Sequence, residues 1–228
     1  MNEKLWHIIV AAGTGSRFGG NLPKQFCLLE GRPLLMTTIE RLRRATAEAH
    51  ILLVLSAEMR GLWAEMCSEY GFVSPEVVDG GATRWESVKK GLAAVPADAG
   101  YVSVHDGARP LVDSAMVCRV IEALVATDAD GAIPVVQTND SLRRVSGDGA
   151  SQIVDRKGIV AVQTPQIFRA ASLRRAYELP WSESFTDDAS VVEAAGGRIA
   201  LAEGNPCNIK VTRPADLVLA SALLKEEA

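Results

Sequence analysis

The sequence predicts an α/β fold with a mostly parallel sheet, helices on both faces and an inserted β-arm. Along the first 136 residues, short apolar runs typical of buried strands alternate with segments long enough for helices. Such alternation is typical of parallel strands that are covered on both sides. After Val136 the pattern changes, because two short strand-like segments flank the turn-rich stretch Ser146-Gly147-Asp148-Gly149. We therefore expect one Rossmann-like domain over residues 1–228, with an arm at about 137–161.

The first strand is expected at Trp6–Ala11, and it leads directly into the glycine-rich segment Gly13–Gly20. Later strands are expected at His50–Ser56, Val77–Val78, Tyr101–His105, Ala132–Val136, Gln163–Phe168 and Ile199–Glu203, with Ser141–Val145 and Ser151–Asp155 in the arm. Helices are expected across Leu35–Leu42, Met59–Tyr70, Thr83–Val95, Val117–Leu124, Ala170–Tyr177, Thr186–Ala195 and from Pro214 onward. Leu35, Ile39 and Leu42 show the i, i+4, i+7 spacing of an amphipathic helix. The stretch from Thr83 to Glu86 matches a capping box.

The composition excludes several functional classes. Hydrophobic residues make up 48% of the 228-residue chain, which is more than a disordered protein contains. The 24 Lys and Arg residues are outnumbered by 28 Asp and Glu residues, so a nucleic-acid-binding surface is not expected. No apolar run approaches the roughly 20 residues that cross a bilayer, and the N-terminus lacks a signal-peptide pattern. The four cysteines lack Cys-x-x-Cys spacing, which indicates reduced thiols in a cytoplasmic protein.

Residues 11–25 form the segment that is most informative about function. A glycine-rich turn after a first strand lets backbone N–H groups approach an anion, usually a phosphate. The dinucleotide-binding fingerprint does not fit, since Phe18 stands where its third glycine is required, and the Walker loop's Gly-Lys-Ser/Thr is absent. Arg17 and Lys24 bracket the loop, and two cations beside backbone donors suit a triphosphate. The alternative is a pair of solvated surface cations beside a turn.

Further segments carry candidate site residues. Asp106 follows the strand Tyr101–His105, so we expect it at a strand's carboxyl end, where ligands collect in open α/β sheets. A carboxylate there can hold Mg²⁺ against phosphate oxygens, or it can serve a turn or a helix cap. His105 is expected to be a hydrogen-bonded core histidine rather than a catalytic base. The stretch Thr186–Ser190 can be explained as a helix cap, and Lys210 by itself is uninformative.

Taken together, these segments resemble the 2-C-methyl-D-erythritol 4-phosphate cytidylyltransferase family. The matching segments are Ala11–Gln25, Gly80–Arg84 with Ser87-Val88, His105–Pro110, Val154–Arg156, Gln163–Gln166, Thr186–Ser190 and Asn208–Pro214. They keep the family's order and extend across nearly the whole chain. The resemblance implies transfer of CMP from CTP to methylerythritol 4-phosphate, with release of pyrophosphate, in the non-mevalonate route to isoprenoid precursors. It also implies Mg²⁺ or a similar divalent ion, and a homodimer in which the arm crosses to the partner's site.

The resemblance assigns roles to individual residues. It implies that Arg17 and Lys24 stabilise the pentacoordinate α-phosphate and that Asp106 binds the metal. The residues implied for cytidine and its phosphates are Ala11, Ala12, Gly13, Gly15, Gly81, Ala82 and Ser87. The residues implied for the sugar phosphate are Arg109, Ser141, Arg156, Thr186 and Lys210, and Arg156 acts in the partner's site. A general base is not required, because the attacking group is already a phosphate anion.

Three positions depart from the family pattern: Val10, Ser141 and Cys207 replace the usual proline, threonine and acidic residue.

The nearest alternative function is a cytidylyltransferase for a pentitol phosphate such as ribitol 5-phosphate, which would share the nucleotide side of the site. A dinucleotide-dependent oxidoreductase is disfavoured by the missing glycine and by the missing acidic residue after the second strand. A catalytically silent nucleotide-binding module is disfavoured because the candidate cations and Asp106 are all present.

Overall fold

The computed structural model describes residues 4–13, 18 and 22–226. Its strands are β1 (Leu5–Val10), β2 (Leu28–Leu29), β3 (Arg32–Pro33), β4 (His50–Leu55), β5 (Glu76–Asp79), β6 (Tyr101–Asp106), β7 (Gly131–Gln137), β8 (Leu142–Val145), β9 (Ser151–Val154), β10 (Val160–Val162), β11 (Gln166–Arg169) and β12 (Ile199–Glu203). Its α-helices are α1 (Leu34–Ala45), α2 (Arg60–Glu69), α3 (Arg84–Ala94), α4 (Ser114–Ala126), α5 (Ala170–Ala176), α6 (Asp188–Ala194) and α7 (Pro214–Glu226). Within these described ranges, every helix is too short or too polar to cross a membrane.

Eight strands form the central sheet, as the alternating pattern predicts. Strands β5, β4, β1 and β6 lie side by side and are parallel to one another. Strand β11 is antiparallel to both β6 and β7, while β7 also pairs with β12 in parallel and with β10 in antiparallel orientation. The mostly parallel sheet is therefore confirmed. Because β1, β4 and β6 run the same way, their carboxyl ends meet at one edge of the sheet, where α/β proteins place their ligands.

Neighbouring residues of the central strands face opposite sides of the sheet, as the two-residue period of a strand requires. Ile9 packs with residues of α1, α2 and α4, whereas Ile8 packs with residues of α3, α5 and α6. Both side chains are fully buried. The helices on both faces are thereby confirmed. Truncating a buried isoleucine to alanine typically lowers the free energy of unfolding by about 2–5 kcal/mol. Packing on both faces therefore stabilises the strands that end at the site.

The arm forms a two-stranded sheet of its own, in which β8 and β9 pair antiparallel. Its turn contains Gly149 with φ of +85°, a backbone conformation that glycine adopts without steric cost. The predicted hairpin is confirmed. Val145 and Ile153 on the arm are 68% and 78% exposed, which leaves apolar surface in contact with water in the single chain. The assignment of residues 1–228 to one domain stays a prediction.

Some element boundaries differ from those predicted. Strand β11 begins later than expected, at Gln166. Helix α6 begins at Asp188 rather than at Thr186, because Asp187 is the N-cap and its side chain accepts an N–H of the first turn. The β2–β3 hairpin was not predicted, since two residues per strand are too few to show an alternating pattern.

Candidate functional site

A cleft of about 360 Å³ opens at the edge of the sheet where β1 and β6 end. Its walls come from the segment after β1, the start of α3, the end of β6 and the segment that precedes α7. The lining residues are Val10, Ala11, Ala12, Gly13, Lys24, Gln25, Gly81, Ala82, Thr83, Arg84, Ser87, Asp106, Gly107, Ala108, Lys210 and Thr212. Every described residue that was predicted to bind the nucleotide is among them, together with Lys24, Asp106 and Lys210.

The segment after β1 is held in place by Gln25, a buried residue that was not among the predicted site residues. Its Nε2 donates hydrogen bonds to the carbonyls of Ala11 at 2.9 Å and Gly13 at 3.1 Å. A buried amide that bonds two carbonyls of one loop fixes the path of that loop. The motif Pro23-Lys24-Gln25 therefore supplies a cation and the support of the loop that faces it.

The loop between β5 and α3 approaches the segment after β1 so closely that only glycine fits at one position, Gly80. A Cβ atom added to Gly80 would lie 2.5 Å from Cβ of Ala12. Ser87 shapes the turn that follows, since its Oγ accepts the N–H of Gly81 at 3.0 Å and donates to the carbonyl of Thr83 at 2.9 Å. Thr83 caps α3 as predicted, while the Glu86 carboxylate accepts an N–H from the preceding loop. Gly80 thus allows the loop before α3 to pack directly against Ala12 at the cleft.

Asp106 is the last residue of β6 and lies at the centre of a cluster of cations. Its Oδ2 is 2.9 Å from Nζ of Lys210 and 3.6 Å from Nε of Arg109, and its Oδ1 is 3.5 Å from Nε of Arg84. Burial alone raises the pKa of this carboxyl group, but the three neighbouring cations outweigh burial and hold its pKa well below the usual range. Asp106 is therefore ionised throughout the physiological pH range.

Lys24 lies in a short 3-10 turn, Lys24–Phe26, and faces the same cleft. Its Nζ donates to the carbonyl of Val211 at 2.9 Å, next to Lys210 in the chain. This hydrogen bond links the turn that carries Lys24 to the segment that carries Lys210. Arg17 and Gly15, which were also predicted for the site, lie outside the described residues.

Arg109 contacts Oδ2 of Asp106, and its Nη1 donates to the carbonyl of Asn208 at 2.8 Å.

Arg84 lines the cleft but was not among the predicted site residues. Its guanidinium makes two hydrogen bonds to the carboxylate of Asp188, at 2.7 and 3.1 Å. Arg84 belongs to one of the segments that resemble the family and to the capping pattern of α3, but neither signal reports its distant partner Asp188.

Four of the described site candidates do not line the cleft of this chain, although one of them, Arg109, contacts the lining residue Asp106. Ser141 and Arg156 are exposed at the base of the arm, where Arg156 donates to the carbonyl of Asn139. Thr186 is exposed just before the cap of α6. One chain by itself therefore brings together the nucleotide-binding candidates and Lys24, Asp106, Arg109 and Lys210, but not the arm residues.

His105 is a core histidine, as expected. It is fully buried, its Nδ1 lies 3.0 Å from Oγ1 of Thr164, and its Nε2 lies 3.1 Å from the carbonyl oxygen of Arg109. Burial lowers its pKa to about 4, so the ring is neutral at physiological pH. Because Oγ1 of Thr164 also accepts the N–H of Asp106, the histidine helps to hold the strand end that carries the carboxylate.

Asp106 is also the residue that fits a metal ion. Among the described residues, no group of three or more His, Cys, Asp or Glu side chains could hold one alone. A magnesium ion in a nucleotide site needs only one or two carboxylates, because substrate phosphates and water complete its shell. An ionised carboxylate at the cleft fits that requirement. Cys207 stands where an acidic residue is usual, and it does not line the cleft.

Comparisons with known proteins identify the family of this chain. The family model described as "IspD: 2-C-methyl-D-erythritol 4-phosphate cytidylyltransferase" matches residues 5–226. The protein of that name from Bacteroides fragilis is 46% identical over 218 residues, which cover 95% of this chain and 98% of that protein. The one from Porphyromonas gingivalis is 46% identical over 227 residues, covering 98% and 99%. The crystal structure of the Thermus thermophilus protein of that name has a TM-score of 0.73 at 33% identity, covering 99% and 100%. The chain therefore belongs to the 2-C-methyl-D-erythritol 4-phosphate cytidylyltransferase family of nucleotidyltransferases.

Proposed function

We propose that this chain transfers CMP from CTP to 2-C-methyl-D-erythritol 4-phosphate. A phosphate oxygen of the acceptor bonds to the α-phosphorus of CTP, and the bond from that phosphorus to the β-phosphate bridging oxygen breaks. The products are 4-diphosphocytidyl-2-C-methyl-D-erythritol and pyrophosphate. The observation that carries the proposal is a cleft whose described lining combines Lys24, Lys210 and Arg84 with one carboxylate, Asp106. Lys210 and Arg84 approach that carboxylate from within the lining, and Arg109 contacts it from outside the lining.

The proposed reaction requires two anions to approach each other, and this is the task that the cations perform. The nucleophile is already an anionic phosphate, so a general base adds nothing. Cations held at fixed positions in a cleft reduce the repulsion and stabilise the charge that develops on the leaving group. In this proposal Lys24 acts with Arg17 at the α-phosphate, and Lys210 acts with Arg109 on the phosphate of the acceptor.

The remaining assignments follow the walls of the cleft. The nucleotide side consists of Ala11, Ala12, Gly13, Gly15, Gly81, Ala82 and Ser87. Asp106 would hold Mg²⁺ or a similar divalent ion, which supplies charge neutralisation at the phosphates when it is bound. Nζ of Lys210 lies 2.9 Å from Oδ2 of that carboxylate.

The arm supports the proposal of a homodimer. Ser141 and Arg156 stand at the base of the arm and away from the cleft of their own chain, while Val145 and Ile153 expose apolar surface. An arm that docks on a second copy would bury that surface and bring Arg156 and Ser141 to the partner's acceptor phosphate. Thr186 would contact the same phosphate. A cytoplasmic location, expected from the reduced cysteines, belongs to the same proposal.

The test is pyrophosphate release from CTP by the purified protein with Mg²⁺. Methylerythritol 4-phosphate and ribitol 5-phosphate are supplied in parallel, and Lys24→Ala protein serves as the control for contaminating activity. We expect release that requires both CTP and methylerythritol 4-phosphate and that is lost in the variant. Release with ribitol 5-phosphate alone would replace the acceptor. Equal release from the variant would show that the activity does not belong to this cleft.

A further inference from the structure

Asp188, which was not among the predicted site residues, is fully buried, and both of its carboxylate oxygens accept hydrogen bonds. It is the first residue of α6 and has no exposed surface. Its two oxygens accept hydrogen bonds from Nη1 and Nη2 of Arg84 at 3.1 and 2.7 Å, and Oδ1 also accepts the hydroxyl of Tyr177 at 2.6 Å. A two-point bond between planar groups fixes both the position and the orientation of the guanidinium.

Arg84 stands between this buried carboxylate and the cleft. Two of its nitrogens face Asp188, and the third, Nε, lies 3.5 Å from Oδ1 of Asp106. Burial lowers the pKa of the guanidinium, but the two carboxylates outweigh that effect and raise its pKa, so it stays charged. Lys210 and Arg109 approach the other oxygen of Asp106, whereas Arg84 faces Oδ1.

The contact also connects the start of α3 with the start of α6. Arg84 opens α3, next to the residues proposed for the nucleotide, whereas Asp188 lies two positions after Thr186, which is proposed for the acceptor. Gln166 fixes the α6 end of this connection, since its amide donates to Asp187 at 2.8 Å and accepts from the N–H of Ala189 at 3.0 Å. The orientation of the Arg84 guanidinium therefore depends on the position of the first turn of α6.

We propose that Asp188 is a positioning residue for the transfer reaction: its buried carboxylate fixes the Arg84 guanidinium, which in turn holds Oδ1 of Asp106 at the cleft. The proposal rests on the proposed function for its kinetic readout. Without Asp188, the guanidinium is free to turn toward Asp106 or toward bound phosphates, and the geometry of the metal-binding carboxylate is lost. Misplacement by about 1 Å in an active site can lower a rate by about 100-fold.

A double-mutant cycle tests the proposal. The turnover number, the KM for CTP and the calorimetric affinity for CTP with Mg²⁺ are measured for the parent, Asp188→Asn, Arg84→Ala and the double variant. We expect Asp188→Asn to lower kcat by about 10- to 100-fold, and the double variant to match Arg84→Ala, because Asp188 acts through Arg84. Losses that multiply in the double variant would show that Asp188 acts independently and would overturn the proposal.

A second set of variants separates positioning from stability. Tyr177→Phe removes one hydrogen bond from the same carboxylate but leaves the contact with Arg84, so we expect a lower Tm and a kcat within about threefold of the parent. A loss of kcat in Tyr177→Phe as large as that in Asp188→Asn would contradict the proposal, since destabilisation alone would then explain both.

Arg84→Lys answers the question if Asp188→Asn does not fold, because a lysine keeps the charge but cannot make the two-point bond. We expect its kcat to fall by about 10-fold or more; a kcat within twofold of the parent would overturn the proposal. Arg169→Lys is the matched control. The side chain of Arg169 is 37% exposed, against 32% for Arg84, and pairs with Asp128 at 2.6 Å. It lies opposite the amino end of β6, away from Asp106, so kcat should not change.

The CTP titration keeps this inference distinct from the proposed function. It needs no acceptor, and the same non-additive pattern is expected in the affinity for CTP. If the parent protein releases no pyrophosphate with methylerythritol 4-phosphate, the proposed function fails, and the binding cycle still decides the role of Asp188. Independent effects of Asp188→Asn and Arg84→Ala on CTP affinity would then overturn the positioning role.

Discussion

Nζ of Lys210 lies 2.9 Å from Oδ2 of Asp106, although the two residues come from opposite halves of the chain. Asp106 ends β6, and Lys210 lies in the segment between β12 and α7. The ion pair therefore links two walls of the cleft, one at the end of β6 and one in the segment before α7. Lys210, Arg84 and Arg109 together outweigh the effect of burial on the pKa of Asp106.

The first prediction concerns Lys210→Met. Removing this cation should lower kcat/KM by about 100- to 1000-fold, the usual cost of losing one fixed charge-stabilising group at a reaction centre. Steady-state kinetics with varied acceptor measures the loss. Lys4→Met is the control, because Lys4 also pairs with a carboxylate at 2.9 Å but is exposed and precedes the amino end of β1, whose carboxyl end reaches the cleft. A loss below about threefold in Lys210→Met would contradict a role in catalysis.

The second prediction concerns Lys24→Met. Its ammonium group faces the cleft and bonds the carbonyl of Val211, so the variant should lose about 100-fold or more in kcat while its Tm changes little. Lys225→Met, at a lysine whose side chain is 66% exposed and which pairs with Glu30, should keep full activity. Circular dichroism during heating, measured beside the kinetics, distinguishes lost chemistry from lost folding. A parallel fall of Tm and kcat would indicate a structural role for Lys24 instead.

The fold could be predicted because its signals are local. The apolar runs that become β1, β4 and β6 and the helical spacing of Leu35, Ile39 and Leu42 are each contained in a short window. Asp106 was placed at a strand end on the same basis. The β2–β3 hairpin escaped prediction because its strands are too short to carry a period.

The site residues that were not predicted, Arg84 and Gln25, depend on contacts between segments that are distant in the sequence. Arg84 and Asp188 each lie in a segment that resembles the family and beside a helix cap, but neither pattern reports that the two side chains will meet. Gln25 carries no chemistry of its own, so its support of Ala11 and Gly13 becomes visible only in three dimensions. Long-range pairing is decided by packing of the whole chain and has no signature in a sequence window.

The third prediction is a loss of stability in mild acid. His7 and His105 are fully buried, and burial lowers their pKa values to about 3 and about 4, from 6.5. The unfolded chain therefore binds more protons between pH 4 and 6.5. Stability is complete above the unfolded pKa and is lost as pH falls toward the folded value, by about 2 kcal/mol for each histidine at pH 5.

Urea unfolding at pH 7, 6 and 5 measures this slope. His7→Gln removes one titrating group while retaining a hydrogen-bonding side chain that can replace the contact with Oγ1 of Thr46. Its unfolding free energy should depend about half as steeply on pH over this range. An unchanged slope would mean that His7 does not stay neutral in the folded protein.

The last prediction tests whether Arg156 serves the partner's site. Lys24→Met and Arg156→Gln chains are each expected to be inactive, since the first lacks a cation in its own cleft and the second lacks one on its arm. In a mixed dimer with crossed arms, one site pairs an intact Lys24 with an intact Arg156 from the other chain. Equal mixing after dissociation and reassembly should therefore restore about one quarter of the parent activity per chain. If Arg156 instead acts in its own chain's cleft, no site in any dimer is intact and no activity returns. Val145→Asp added to both chains should prevent the recovery, because it places a charge on the exposed apolar surface that docking of the arm would bury.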